Sequence, residues 1–142
     1  MHRAKAREDL MKLFYQMDIC NDFSKAKQSE FFEFDPSWKQ QAKYINTCVD
    51  MFISNKDEID DKIGKAAPKW HLKSFSKIDL AILRLALCEF FYTDIPVQIS
   101  VNEAVNLGKM YSNEEENKII NGILGTVVKL GKKEDLIRVE SC

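Results

Sequence analysis

No apolar stretch in this chain comes near the roughly 20 residues needed to span a bilayer. The charged opening MHRAKAREDLMK is not followed by the apolar run that a secretory signal requires. A cytoplasmic protein is therefore expected, with no membrane partner. Cysteines are few and scattered: Cys20, Cys48, Cys88 and Cys142 contain no Cys-x-x-Cys pair, and neither His2 nor His71 lies beside one in sequence. That spacing argues against a zinc site and for reduced, mostly buried thiols. Neither sign of charge is in excess, with 21 basic against 22 acidic residues and a net charge of −1. A chain so balanced does not hold nucleic acid with its whole surface, and any such contact must come from a local cluster of cations. Catalytic signatures are missing as well: no Gly-rich phosphate loop, no His-Glu-x-x-His and no Gly-x-Ser-x-Gly occurs. The acidic runs Asp60-Asp61 and Glu114-Glu115-Glu116 read as solvated helix faces. No catalytic residue, cofactor or metal is expected.

What the chain does have is helical periodicity. Its 142 residues, 45% hydrophobic and 30% charged, suffice for one globular domain with a core. Ala6, Leu10, Leu13, Phe14 and Met17 line one face of a helix over residues 3–19. A second segment, 22–33, carries Phe23, Ala26, Phe31 and Phe32. Asp35-Pro36 is a start signal, a capping carboxylate before a proline, and leads into the stripe Trp38, Ala42, Ile45, Val49 and Phe52. Asn55 with Glu58 opens a further helix bearing Ile59, Ile63 and Ala66, which Pro68 ends. Ser76 with Asp79 starts a helix over 77–92 that is apolar on nearly every side and so belongs at the centre of the fold. Ser100-Val101-Asn102-Glu103 and Ser112-Asn113-Glu114-Glu115 have the form of capping boxes. In the last helix, Ile119, Ile120, Ile123, Leu124, Val127 and Val128 overrule the hairpin signal of Asn121-Gly122. Gly122 there is expected to allow a close helix–helix approach, and Gly131 to cap the end, with 131–142 a poorly ordered tail. No strand pattern is present, so an all-α fold of about seven helices over residues 1–130 follows.

Two groups of charges stand out. Glu89 and Arg84 interrupt the central apolar helix and are expected to tie neighbouring helices together, since buried charges need partners. Arg3, Lys5 and Arg7 fall in the first turns of the first helix, where cations oppose the helix dipole. An anionic partner would offset that cost.

Three blocks then resemble the NusB family of bacterial transcription antitermination factors: RAKAREDLMKLFYQMD (3–18), WHLKSFSKIDLAILRLALCEF (70–90) and DIPVQISVNEAVNLGKMYSNEEENKIINGILG (94–125). The resemblance runs in one register over about residues 3–130 and implies two interlocked three-helix bundles with an additional helix. It also implies a non-enzymatic role: binding single-stranded boxA-type RNA in ribosomal RNA operons, together with the small-subunit ribosomal protein NusE, within the RNA polymerase antitermination complex. Carried over by position, Arg3, Lys5 and Arg7 correspond to the basic arm that meets phosphates, and Lys118 and Ile119 to a Lys-Phe pair at the RNA-facing edge. Tyr15 and Asp79 match positions that face NusE. The chain departs from the family pattern at Ile119, where an aromatic is usual, at Ser74 in place of arginine, and at Gly108 in place of alanine. The alternative is a stand-alone NusB-like RNA-binding or protein-adaptor domain acting in ribosomal RNA modification or assembly. A homodimer is compatible with the same resemblance.

Overall fold

Residues 1–69 and 74–134 are described in the computed structural model of the chain, the last three as backbone only. His71, and with it the Trp70–Lys73 part of the second family-like block, lies outside the described residues. The described chain is all-helical: α1 (Arg3–Cys20), α2 (Lys25–Phe31), a short 3-10 helix (Pro36–Gln41), α3 (Ala42–Ala66), α4 (Lys77–Tyr92), α5 (Val97–Tyr111) and α6 (Glu114–Glu134). Every member of the α1 stripe, from Ala6 to Met17, is fully buried. Ser76 caps α4 by accepting the Asp79 N–H, as its position in sequence implied.

α4 occupies the centre. It is buried from Asp79 to Glu89 and packs against α1, α3, α5 and α6. Two three-helix groups, α1–α3–α4 and α4–α5–α6, are interlocked because α3 passes from one to the other. Before Asn55, α3 faces α1, where Phe14 and Phe52 stack with ring centroids 4.2 Å apart. Beyond it, Glu58, Lys62 and Lys65 share a cavity wall with Val127 and Leu130 of α6. Asn55 itself leaves helical geometry, with φ −124° and ψ 22°. Its side chain does not cap the following turn as expected but reaches back, Nδ2 donating to the Met51 carbonyl at 3.0 Å. The span of α3 is thus two helical segments that meet at a kink at Asn55, where the sequence places a new start.

Other starts and stops also moved. Asp35 accepts from the Ser37 N–H, so the Asp35-Pro36 signal is real, yet it opens a 3-10 turn before α3 rather than an α-helix. α2 is shorter than 22–33 and turns Ala26 to solvent while burying Gln28. α5 begins at Val97, placing Ser100 inside the helix, where its hydroxyl donates to Glu89 Oε1 at 2.9 Å instead of capping. At α6 the cap is displaced by one residue: Asn113 Oδ1 accepts the Glu116 N–H at 2.7 Å, and Ser112 Oγ donates to the Glu116 carboxylate. α6 then runs through Gly131 without the positive φ that a left-handed cap requires.

The glycine expectation changes too. A Cβ at Gly122 would meet nothing within 4 Å. The close approach lies at Gly108, where a Cβ would collide with the Asn117 side chain of α6. Of the thiols, Cys48 and Cys88 are buried and Cys20 is exposed. Burial pushes Cys48 up to about 12 and Cys88 well above its ordinary value, so both stay protonated.

Candidate nucleic-acid interface

The first turn of α1 contains no acidic residue and its cap position, His2, makes no side-chain cap. Positive charge therefore accumulates at an already positive helix end. Arg3 is exposed, and its guanidinium lies over the Tyr44 ring of α3, 4.3 Å from the centroid. Nε of Arg3 donates to Gln41 Oε1 at 2.8 Å, while its two terminal nitrogens have no partner among the described residues. Lys5 is exposed on another side of the helix and pairs with Asp9 at 2.9 Å. That hydrogen bond, and then the charge of Asp9, raise its pKa. Surface pairs of this kind contribute little, so Lys5 can exchange Asp9 for another anion.

Arg7 is a correction. It is only 5% exposed and grips Glu89 with two nitrogens, Nε to Oε2 at 2.7 Å and Nη2 to Oε1 at 3.1 Å. Glu103 stands 3.8 Å from Nη1. The remaining capacity of Glu89 is filled by the Tyr44 hydroxyl at 2.7 Å and the Ser100 hydroxyl. Burial first, then the Glu89 charge, drive the Tyr44 phenol far above its ordinary pKa, so it remains a donor. Arg7 has no free face for phosphate. It joins α1, α3, α4 and α5 through one carboxylate, as was expected of Glu89. Arg84 does likewise for α1, α3 and α4. It makes two bonds to Asp60 at 2.9 and 3.0 Å and one to Asp18 at 3.3 Å.

At α6, Lys118 is exposed and carries no partner among the described residues. Ile119 is half-buried, and it lines a cavity of about 250 Å³ between α4 and α6 that also holds Asp79, Glu115 and Glu116. Asp79 is 3% exposed there, and its Oδ1 has no hydrogen-bond partner. Burial and the neighbouring Glu116 raise its pKa. The structure thus brings Ile119, expected beside RNA, together with Asp79, expected beside a protein partner, in a pocket whose acids repel phosphate. Tyr15, half-buried on α1, packs against the core. The α1 and α6 regions are tied indirectly: the Tyr111 hydroxyl, just before α6, donates to Glu8 of α1 at 2.6 Å.

Residues passed over in the sequence are Lys43, Tyr44 and Tyr92, which surround Arg3. The local signal was a cation next to an aromatic at Lys43-Tyr44; Tyr92 had none, being brought near by the fold.

Taken with its fold, this surface defines an all-helical interaction domain, with Arg7 and Arg84 matched internally, Asp79 left with an unpaired oxygen, and unmatched cations at the rim of α1 and α6. The model of the NusB family matches residues 4–129. The chain belongs to the NusB family. It is 42% identical over 130 residues to the transcription antitermination protein NusB of Thermoanaerobacter sp. (strain X514), with 91% of each chain covered. With the protein of the same name from Acetivibrio thermocellus it shares 43% over 131 residues, covering 92% of this chain and 90% of that one. T. maritima NusB superimposes with a TM-score of 0.78 at 28% identity, over 91% of this chain and 92% of that one. A chain in the crystal structure of antitermination factors NusB and NusE in complex with dsRNA has the same fold. Its TM-score is 0.71 at 22% identity, covering 92% of this chain and 99% of that one.

Proposed function

We propose that this chain is a transcription antitermination factor that binds single-stranded boxA-type leader RNA jointly with NusE and so promotes read-through in ribosomal RNA operons. It works by binding in the cytoplasm, without catalysis or a cofactor. The observation that carries this reading is the near-full-length identity, above 40%, to proteins named for antitermination. The surface supports a division of labour. Arg3, Lys5 and Lys118 supply phosphate contacts, which position RNA and make binding sensitive to salt. Asp79, with an unpaired oxygen at the bottom of an acidic cavity, suits a cationic side chain of NusE, and Tyr15 belongs to the same partner-facing group. Ile119 lies at the border of the two regions. Arg7 serves them only through the core.

Fluorescence titration of boxA RNA, with and without NusE, tests the proposal. NusE is expected to increase RNA affinity. Arg3→Ala and Lys118→Ala are each expected to weaken binding and to lower the salt slope by about 0.7, the value for one phosphate contact on a single strand. RNA affinity indifferent to NusE would defeat the reading.

A further inference from the structure

A groove of about 450 Å³ opens beside the head of α1, between the start of α3 and the α4–α5 connection. Its walls include Arg3, Lys43, Tyr44, Thr47, Tyr92 and Asp94. The volume falls within the roughly 300–1,000 Å³ of ordinary ligand sites. Two cations on its wall have no acidic partner among the described residues. The terminal nitrogens of Arg3 are unpartnered, and Lys43 is exposed with no acid paired to it among the described residues. Most other lysines of α1 and α3 are in ion pairs, among them Lys5, Lys12, Lys56 and Lys65.

Arg3 is also held in place. The Tyr44 ring supports its guanidinium at 4.3 Å, Gln41 takes its Nε, and Tyr44 is itself fixed by the 2.7 Å bond to Glu89. A guanidinium fixed at one nitrogen and free at two presents the fork that matches a phosphate. Tyr92, half-buried, adds a second aromatic ring across the groove. α1 and α5, which begin at this end of the molecule, have no side-chain cap and no acid in the first turn, so their dipoles add to the same sign. Among the described residues, Asp94 is the one acid on the wall.

We infer that this groove is an RNA subsite, in which Arg3 and Lys43 hold a phosphate of the single strand and Tyr92 stacks on the adjoining base. The inference rests on the RNA-binding function proposed above. It extends the RNA path to the α3 side of α1, away from Lys5, and gives Tyr44 the part of a positioning residue that acts through Arg3. Cations interleaved with aromatic rings are the arrangement that single strands use, because a phosphate and a π-face occur at every nucleotide. The commitment to RNA rather than a free phosphate comes from the proposed function together with Tyr92, which packs against the core on one side and lines the groove on another.

The test is fluorescence anisotropy of the 142-residue chain with a labelled single-stranded boxA RNA extended on both sides, over a series of salt concentrations. Lys43→Ala is expected to weaken binding and to lower the salt slope by about 0.7. Tyr92→Leu is expected to weaken it about fivefold or more with the slope unchanged, as the loss of one stacked base requires. Asp94→Asn should tighten binding. Arg3→Ala combined with Tyr44→Leu should lose no more than Arg3→Ala alone, whereas additive losses would remove Tyr44 from its positioning role. If Lys118→Ala weakens RNA binding while Lys43→Ala, Tyr92→Leu and Asp94→Asn do not alter it, the groove is not a subsite and the proposed function stands. If the unmodified chain with NusE does not bind the RNA, both fail together.

Discussion

Arg3 and Arg7 are one helical turn apart, and the sequence gives them the same character. The structure separates them: Arg3 lies on the Tyr44 ring in solvent, and Arg7 is sealed against Glu89. Nothing local could have told them apart, because the deciding carboxylate is 82 residues away along the chain. The difference has a measurable consequence. Glu89→Ala leaves the Arg7 charge buried without its partner, and loss of a buried partner costs about 3–5 kcal/mol. Denaturant unfolding should show a loss of that order. Replacing Arg7 and Glu89 together with apolar residues should cost much less than the sum of the single changes. Asp79 offers a second test at this scale. Its folded pKa is raised, so between the unfolded and folded values the native state binds more protons than the unfolded one, and stability falls as pH rises through that window. Asp79→Asn should therefore be more stable than the parent at neutral pH. The difference should shrink as the medium is acidified through the titration of Asp79, with thermal melts across pH giving the answer. A constant difference would mean that Asp79 does not bear this strain.

Individual helices were legible where their signals were local. The α1 stripe, the Ser76 cap and the all-round apolar character of α4 needed only neighbours in sequence, and all three are present. Helix starts were misplaced where a side chain had a better partner elsewhere. Ser100 has the spacing of a cap, but Glu89 takes its hydroxyl; the break at Asn55 falls where expected, although its amide turns backward to Met51. Glycine was misread for the same reason, since helix proximity is not written in a single segment. Gly122 is exposed on α6 with open space around it, so Gly122→Ala should raise stability by about 1 kcal/mol through helix propensity alone. Gly108 differs. An added methyl would drive Asn117 from its place and from its bond to the Val105 carbonyl, offsetting the same gain. Gly108→Ala should become stabilising once Asn117→Ala is also introduced, and melting temperatures of the four combinations would show that coupling.

For the molecule as a whole, an all-helical fold followed from periodicity, and two interlocked bundles from the family resemblance. The surface was less legible than the core. Apolar stripes determine what is buried, yet a near-neutral composition says nothing of where the unmatched cations collect. Pairing decides which stay unmatched: Arg84 takes Asp18 and Asp60, Arg7 takes Glu89 and Lys5 takes Asp9, while Arg3 keeps no acid among the described residues. The cationic character at the head of α1 thus comes from how charges are paired rather than from how many there are.

The central position of α4 also sets the order in which the molecule can come apart. Each long neighbour uses α4 as one wall, so no pair of the others keeps its apolar face covered once α4 leaves. Amide protons between Leu80 and Cys88 should then exchange with solvent deuterium only through global unfolding, while those of α2, seven residues long with one buried side chain, exchange through brief local opening. Native-state exchange read by mass spectrometry should rank α4 slowest and bring its opening free energy to the value from denaturant. If α4 exchanged before α1 or α6, the two bundles would be separable units, and a chain cut at the α4–α5 connection could fold in pieces.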